Sequence, residues 1–390
     1  MSAVPQASRE RAILPARVRQ RIDVNLIVYV ALLLGVGLVM VSSASVGIAD
    51  SLTGDPLYYF KRQLIFIMIG LLAMATIYGV PLEWWRTGGQ PALIAVIFLL
   101  VLVLIPGVGK TVNGSSRWFA FGGFSLQVSE LAKLFVIVYL AAYIDRHVAS
   151  LRTGVRAVLP PLAVLGVIGV LLLLEPDYGA AAVLLATSLG MLFLGGVRLW
   201  QFALLLTGAG ATLSALAMSS PYRLERITAF VNPWADPYDT GFQLTQSLIA
   251  IGSGSWWGVG LGDSIQKLFY LPEAHTDFLF AVVAEELGLA GMAGVIALYS
   301  LLVWRCFSLG RVAERCGQGF AASVSYGIGM WLGLQAFINM GVNLGILPTK
   351  GLTLPLMSAG GSSIVVMCAA LGLLLRVHRE SCDATAEQTT

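Results

Sequence analysis

The fold class this sequence predicts is an all-α polytopic membrane protein of about ten transmembrane helices, and three observations predict it. Hydrophobic residues make up 57% of the 390, and charged residues only 12%. Mean hydropathy is +0.82. Several apolar runs reach the roughly 20 residues that a helix needs to cross a bilayer. The net charge of +3 is spread over short loops. No nucleic-acid motif accompanies it, so a nucleic-acid partner is not expected. Cys306, Cys316, Cys368 and Cys382 show neither a disulfide framework nor CxxC metal spacing.

Residues 1–23 form a polar arm with Arg9, Arg11, Arg17, Arg19 and Arg21, expected to lie near anionic headgroups. The first apolar run is too long for a signal peptide and begins only after this arm. Spans are expected at 24–46, 60–79, 91–106, 128–144, 157–174, 178–196, 200–218, 278–305, 320–345 and 359–377. Together, 24–377 form one membrane domain, followed by a short tail, 378–390. Glu175-Pro176-Asp177 is the tight turn that makes spans five and six a hairpin. With the N-terminus inside, inner segments hold 15 of the 24 Lys and Arg residues, so both termini are expected in the cytoplasm.

The outer side then carries two long connections. Residues 107–127 are rich in Gly and Ser around Arg117-Trp118-Phe119. Residues 219–277, between spans seven and eight, hold Trp234, Phe242, Trp256, Trp257, Phe269 and Tyr270, too aromatic for a disordered linker. Within them, 242–251 has helical spacing suited to the membrane surface. No convincing internal repeat appears, which weakens an inverted-repeat transporter reading.

Ionisable residues inside or beside apolar runs are costly, and so mark functional sites or structural pairs. Glu130 and Lys133 are three apart on one helix face and are expected to neutralise each other, as a plain ion pair or as the lining of a polar cavity. Asp177, after Pro176, reads equally as a helix cap. Asp277 closes Glu273-Ala274-His275-Thr276-Asp277, where polar loop meets apolar run. A carboxylate there is a helix cap or a general base. His275 competes for the base role, since its ordinary pKa suits it. Glu285 and Glu286 lie about two turns further on. Arg117, Arg223, Arg226 and Lys350 are outer-face cations, each alone a headgroup anchor, together a phosphate-binding mouth. The glycines at 252, 254, 258, 260 and 262 suit close packing better than an anion cradle. Asn339 and Asn343 read as glue between helices.

Several stretches, taken together, resemble the SEDS family of polytopic membrane glycosyltransferases. They are Ser129-Glu130-Leu131-Ala132-Lys133, Glu175-Pro176-Asp177, Asn232-Pro233-Trp234-Ala235-Asp236-Pro237 and Gly241-Phe242-Gln243-Leu244-Thr245-Gln246-Ser247. They continue with Gln266 through Phe278, Ala284-Glu285-Glu286-Leu287-Gly288 and Leu347 through Pro355, in the family's order. The wording is closer to the division-type members than to the elongation-type ones. Ala359 stands where the family often has an aromatic.

The resemblance implies ten helices and polymerisation of lipid II into glycan strands at the outer face of a bacterial inner membrane, at the division septum. It implies a class B penicillin-binding protein transpeptidase and other division-complex membrane proteins as partners. It makes Asp277 the catalytic residue and places Glu130, Lys133 and Asp177 in the same cavity; apart from the resemblance, Arg117, Arg223, Gln243, His275 and Lys350 are further substrate-binding candidates. The chemistry agrees: an acceptor hydroxyl must lose a proton as it attacks an anomeric carbon, and a positioned carboxylate takes it. Displacement without an enzyme-bound sugar inverts that centre. The departing lipid diphosphate calls for cations or a metal, Mg²⁺ or Mn²⁺, although no metal ligand set is legible. The alternatives are a lipid-linked precursor flippase or other transporter, an elongation-type polymerase, and a non-catalytic scaffold.

Overall fold

The computed structural model describes residues 22–112, 115–121, 124–218, 230–239, 241–268, 271, 273–349 and 351–387. Arg223, Arg226 and Lys350 therefore lie outside the described residues.

The helices are α1 (Val24–Thr53), α2 (Tyr58–Gly79), α3 (Leu82–Val103), α4 (Val128–Thr153), α5 (Leu159–Leu174), α6 (Tyr178–Leu194), α7 (Leu199–Met218), α8 (Phe242–Gly254), α9 (Leu279–Arg315), α10 (Gly319–Asn343) and α11 (Gly361–Glu387). Among the described residues, seven are long and apolar enough to cross a membrane: α1, α2, α3, α5 with its leading turn, α9, α10 and α11. Apolar α6 and α7 are shorter, and α4 carries Glu130, Lys133 and Asp145. α4 needs no lipid-facing surface, because it packs among α3, α6 and α10. Its apolar residues from Leu134 to Ala142 are largely buried.

The all-α expectation needs one correction. The connection after α3 is a small antiparallel sheet, β1 (Lys110–Val112), β2 (Ser115–Phe121) and β3 (Phe124–Gln127), in the order β1-β2-β3. Trp118 faces Gln127 and Phe119 faces Leu126 in its register. The aromatic residues that drew attention to Arg117-Trp118-Phe119 favour a pleated, half-buried strand.

Several boundaries also move. α3 begins at Leu82 and carries Pro91 inside it, where the sequence placed its start. Proline is tolerated inside membrane helices because neighbouring groups satisfy the freed backbone. α11 continues to Glu387, past the expected end at 377. Glu380 accepts from the backbone N–H of Leu82 at 3.0 Å and from Arg376 at 2.7 Å, so this extension caps the start of α3.

α9 holds a departure of another kind. It is broken at Gly288 (φ 64, ψ −160), and residues 255–260 lie against the break. Val259 N–H and Gly260 N–H donate to the carbonyls of Glu285 and Glu286, and Leu289 and Ala290 N–H donate to those of Ser255 and Trp256. A Cβ on Gly258 would lie 2.0 Å from the Glu286 carbonyl oxygen, so this glycine serves close packing. Before the break, Phe280 to Glu286 are enclosed by protein; after it, Leu289, Ile296 and Trp304 are exposed.

Candidate active site

The site forms where the starts of α4, α6, α9 and α11 meet the ends of α5 and α10. β2 and β3 brace this rim. Arg117 on β2 donates from Nε to the Glu175 carbonyl at 2.9 Å and from Nη2 to the Pro176 carbonyl at 2.6 Å. Its guanidinium is thus first a clamp on the Glu175-Pro176-Asp177 turn. Ser362 on α11 donates to the Ser125 carbonyl at 2.5 Å and accepts from Gln127 N–H at 3.0 Å, which ties β3 to α11.

The clamped turn delivers Asp177. One oxygen accepts from Ala180 N–H at 3.1 Å, the cap expected from sequence. The other accepts from Ser129 Oγ at 3.0 Å and Gln127 Nε2 at 3.2 Å, both at the start of α4. Asp177 is therefore a cap and also a cross-link to α4. Beside it, Glu175 is fully buried and neither carboxyl oxygen has a hydrogen-bond partner. Burial pushes this carboxyl up to about 8; neighbouring Asp177 adds to the rise and Arg117 opposes it.

One turn into α4, Lys133 Nζ reaches Glu130 Oε1 at 2.8 Å, the expected i,i+3 pair. Both side chains are almost wholly enclosed. Lys133 also donates to Gln335 Oε1 at 2.8 Å and sits 5.2 Å from the Trp331 ring centroid. Glu130 Oε2 is buried without a partner.

Asp277 precedes α9 and is half-buried. Its carbonyl accepts from Asn339 Nδ2 at 2.8 Å and from Asn343 Nδ2 at 3.1 Å. Its carboxylate faces Gly351, where an added Cβ would lie 3.1 Å from Oδ2. The segment that follows Lys350 in the chain thus reaches the Asp277 carboxylate. Two residues earlier, His275 is buried with Nδ1 unpartnered, its ring 4.5 Å from that of Tyr59. Burial holds the imidazole below its usual pKa; Glu273 opposes this and Arg62 adds to it. Its carbonyl accepts from Ala359 N–H at 2.9 Å.

Gln243 does not join this group. It lies half-buried in the first turn of α8 and makes no hydrogen bond to Asp277 or Lys133. α8 touches the site's frame through Ser247, whose hydroxyl donates to the Asn343 carbonyl at 2.9 Å. Sequence reading missed Gln127, Ser129, Glu175, Gln335 and the bonds of Asn339. The four-residue spacing of Trp331, Gln335, Asn339 and Asn343 was the available signal. Among the described residues no three His, Cys, Asp or Glu side chains gather as a metal-ligand set.

Such buried ionisable groups at one end of a bundle of long apolar helices mark a candidate functional site of a membrane protein. The sequence profile of the FtsW/RodA/SpoVE cell cycle protein family matches residues 24–383, and the chain belongs to that family, the SEDS family. A probable peptidoglycan glycosyltransferase FtsW from Thioalkalivibrio sulfidiphilus is 58% identical over 98% of this chain and 96% of that protein. One of the same description from Nitrosococcus halophilus is 57% identical over 92% of each. Among solved structures, the fold matches a chain from "Structural coordination of polymerization and crosslinking by a peptidoglycan synthase complex". That match has TM-score 0.76 and 31% identity, covering 92% of this chain and 98% of the other. It also matches the rod shape determining protein RodA of Thermus thermophilus, with TM-score 0.68 and 31% identity, covering 92% and 97%.

Proposed function

We propose that the chain is a peptidoglycan glycosyltransferase of the division type, polymerising lipid II at the outer face of the inner membrane during septal wall synthesis. The observation that carries this reading is the placement of Asp277. A half-buried carboxylate is held by its backbone at a rim of buried polar groups, several with unused hydrogen-bonding capacity. Buried polar atoms are normally satisfied, so such a concentration marks a place where a polar ligand completes the set.

In this reading Asp277 accepts the proton of the acceptor sugar hydroxyl as that oxygen attacks the anomeric carbon of the donor. The glycosidic bond forms, the bond to the lipid diphosphate breaks, and the configuration inverts. Lys350, next to the Gly351 contact, and Arg223 are the cations assigned to the leaving diphosphate. Lys133, Glu130 and Asp177 shape the cavity behind it, and His275, neutral at pH 7, is the second candidate base. No step is routed through a metal.

The same reading takes α4, α6 and α7 as spans, giving ten with α1 to α3, α5 and α9 to α11. Both termini are then cytoplasmic and residues 219–277 are periplasmic. A class B penicillin-binding protein is the partner that crosslinks the strands, alongside other membrane proteins of the division complex. The names of the relatives and the crosslinking in the matched complex support these assignments.

The test gives purified protein labelled lipid II in vesicles. Glycan polymer is the expected product. Transbilayer movement without polymer would make the chain a flippase, and neither would make it a scaffold.

A further inference from the structure

α10 presents Trp331, Gln335, Asn339 and Asn343 at four-residue intervals, one stripe of its surface. Gln335, Asn339 and Asn343 are buried. Gln335 Oε1 accepts from Lys133 Nζ at 2.8 Å and Trp331 Nε1 at 2.9 Å, while its Nε2 donates to the Thr353 carbonyl at 3.1 Å. Asn339 Nδ2 donates to the carbonyls of Asp277 at 2.8 Å and Leu352 at 2.5 Å. Asn343 accepts from Ala281 N–H at 3.1 Å and donates to the carbonyls of Asp277 and Asn339.

These partners fix which way each amide faces. Lys133 and the Trp331 indole can only donate, and carbonyls can only accept. Reversing Gln335 would set its NH₂ against two donors, and reversing Asn339 would set its oxygen against two carbonyl oxygens. Asn339 is distinctive because its single NH₂ bridges two chain segments. One carries Asp277; the other is the segment after Lys350, whose Gly351 lies against the Asp277 carboxylate.

We propose that Asn339 is the positioning residue for Asp277, and that Gln335 extends this hold to the Lys133–Glu130 pair through adjacent Thr353. The proposal rests on the reading of Asp277 as the base. Asn339 Nδ2 bonds the Asp277 carbonyl and not its carboxylate, so it sets where the carboxylate stands relative to the 351–353 segment. A displacement of about 1 Å at a reacting group costs on the order of 10²-fold in rate. Because the effect runs through Asp277, it should disappear once the carboxylate is gone.

The test measures initial rates of polymer formation against lipid II concentration for Asn339→Ala, Asn339→Ser and Asn343→Ala, each normalised to folded protein. The Asn339 variants should lower kcat by about 10- to 100-fold with KM within about twofold. Asn343→Ala should cost less, since Asn339 still ties the Asp277 carbonyl to that of Leu352. Asn339→Ala in an Asp277→Asn background should cost nothing further in rate. Should the alanine variant fail to fold, the serine variant, which keeps a hydroxyl donor, carries the same readings. Unchanged kcat in the Asn339 variants, or a full additional loss in the double variant, would overturn the positioning role. Failure of the base reading looks different: Asp277→Asn itself would polymerise normally.

Discussion

Two buried polar clusters lie within a few turns of each other and differ in what they leave unused. At the kink of α9, Glu285 accepts from Ser264 Oγ at 2.5 Å and Ile265 N–H at 3.0 Å. Glu286 accepts from Lys267 Nζ at 2.7 Å and from Ser43 Oγ at 2.6 and 2.9 Å. Every oxygen of both carboxylates is occupied, and only Oε1 of neighbouring Gln266 in the 255–267 segment is buried without a partner among the described residues. Around Asp277, by contrast, Glu130 Oε2, both oxygens of Glu175, His275 Nδ1 and Asn339 Oδ1 are buried and unpartnered. A satisfied network rigidifies a fold, whereas an under-satisfied one is costly and persists where a function needs it. The first cluster therefore pins residues 255–267 to α9, and the second is the one we propose as the reaction site.

The comparison breaks most sharply at Glu130 and Lys133. Either single change to Ala leaves the other charge buried, a loss of about 3–5 kcal/mol by analogy with soluble proteins. Thermal unfolding in detergent should register it, with activity falling in parallel. Exchanging the two residues, Glu130→Lys with Lys133→Glu, should recover folding better than activity, because Gln335 then faces the wrong partner. Wild-type stability in both single variants would show that the pair contributes nothing.

Glu286→Gln tests the other side. It removes the charge that Lys267 and Ser43 bind, and should cost about 1.5–3 kcal/mol of stability, with activity per folded molecule unchanged. A specific loss of polymerisation in a fully stable variant would place this cluster in the reaction site too.

At Glu175 the expected effect depends on pH. Its folded value of about 8 lies above the ordinary 4.5. Below about 4.5 both folded and unfolded chains carry the proton, and the group costs nothing. Between there and about 8 only the unfolded chain ionises, so stability falls as pH rises. Glu175→Gln should therefore melt higher than wild type by a margin that widens from pH 5 toward about 8 and then levels off. A margin independent of pH would mean the carboxyl titrates normally.

Much of the architecture was legible because long apolar runs and the Lys133–Glu130 spacing leave few alternatives. Composition alone gave the membrane class, and i,i+3 geometry gave the ion pair now seen at 2.8 Å. Helix boundaries were less legible, because Pro91 and Gly288 act as breakers only when no neighbour satisfies the backbone. At Gly288 a distant loop supplies those bonds, which no local pattern reveals. The sheet at 110–127 was hidden by its Gly and Ser content. Arg117 was read as a phosphate ligand because side-chain charge is visible in sequence, whereas the carbonyls it clamps are not. Asn339 was set aside as helix glue for the same reason: both its partners are backbone groups on segments remote in sequence.

The central claim is that the Asp277 carboxylate does the chemistry, and Asp277→Asn addresses it directly. Asparagine keeps the size and caps helices about as well as aspartate, so the fold should hold. It cannot accept the proton. The measurement is the initial rate of glycan polymer from lipid II by the purified variant, with thermal stability and partner binding followed in parallel. A fall of about 10²- to 10⁴-fold at unchanged stability is the predicted result. Near-normal polymerisation would contradict it and pass the base role to His275.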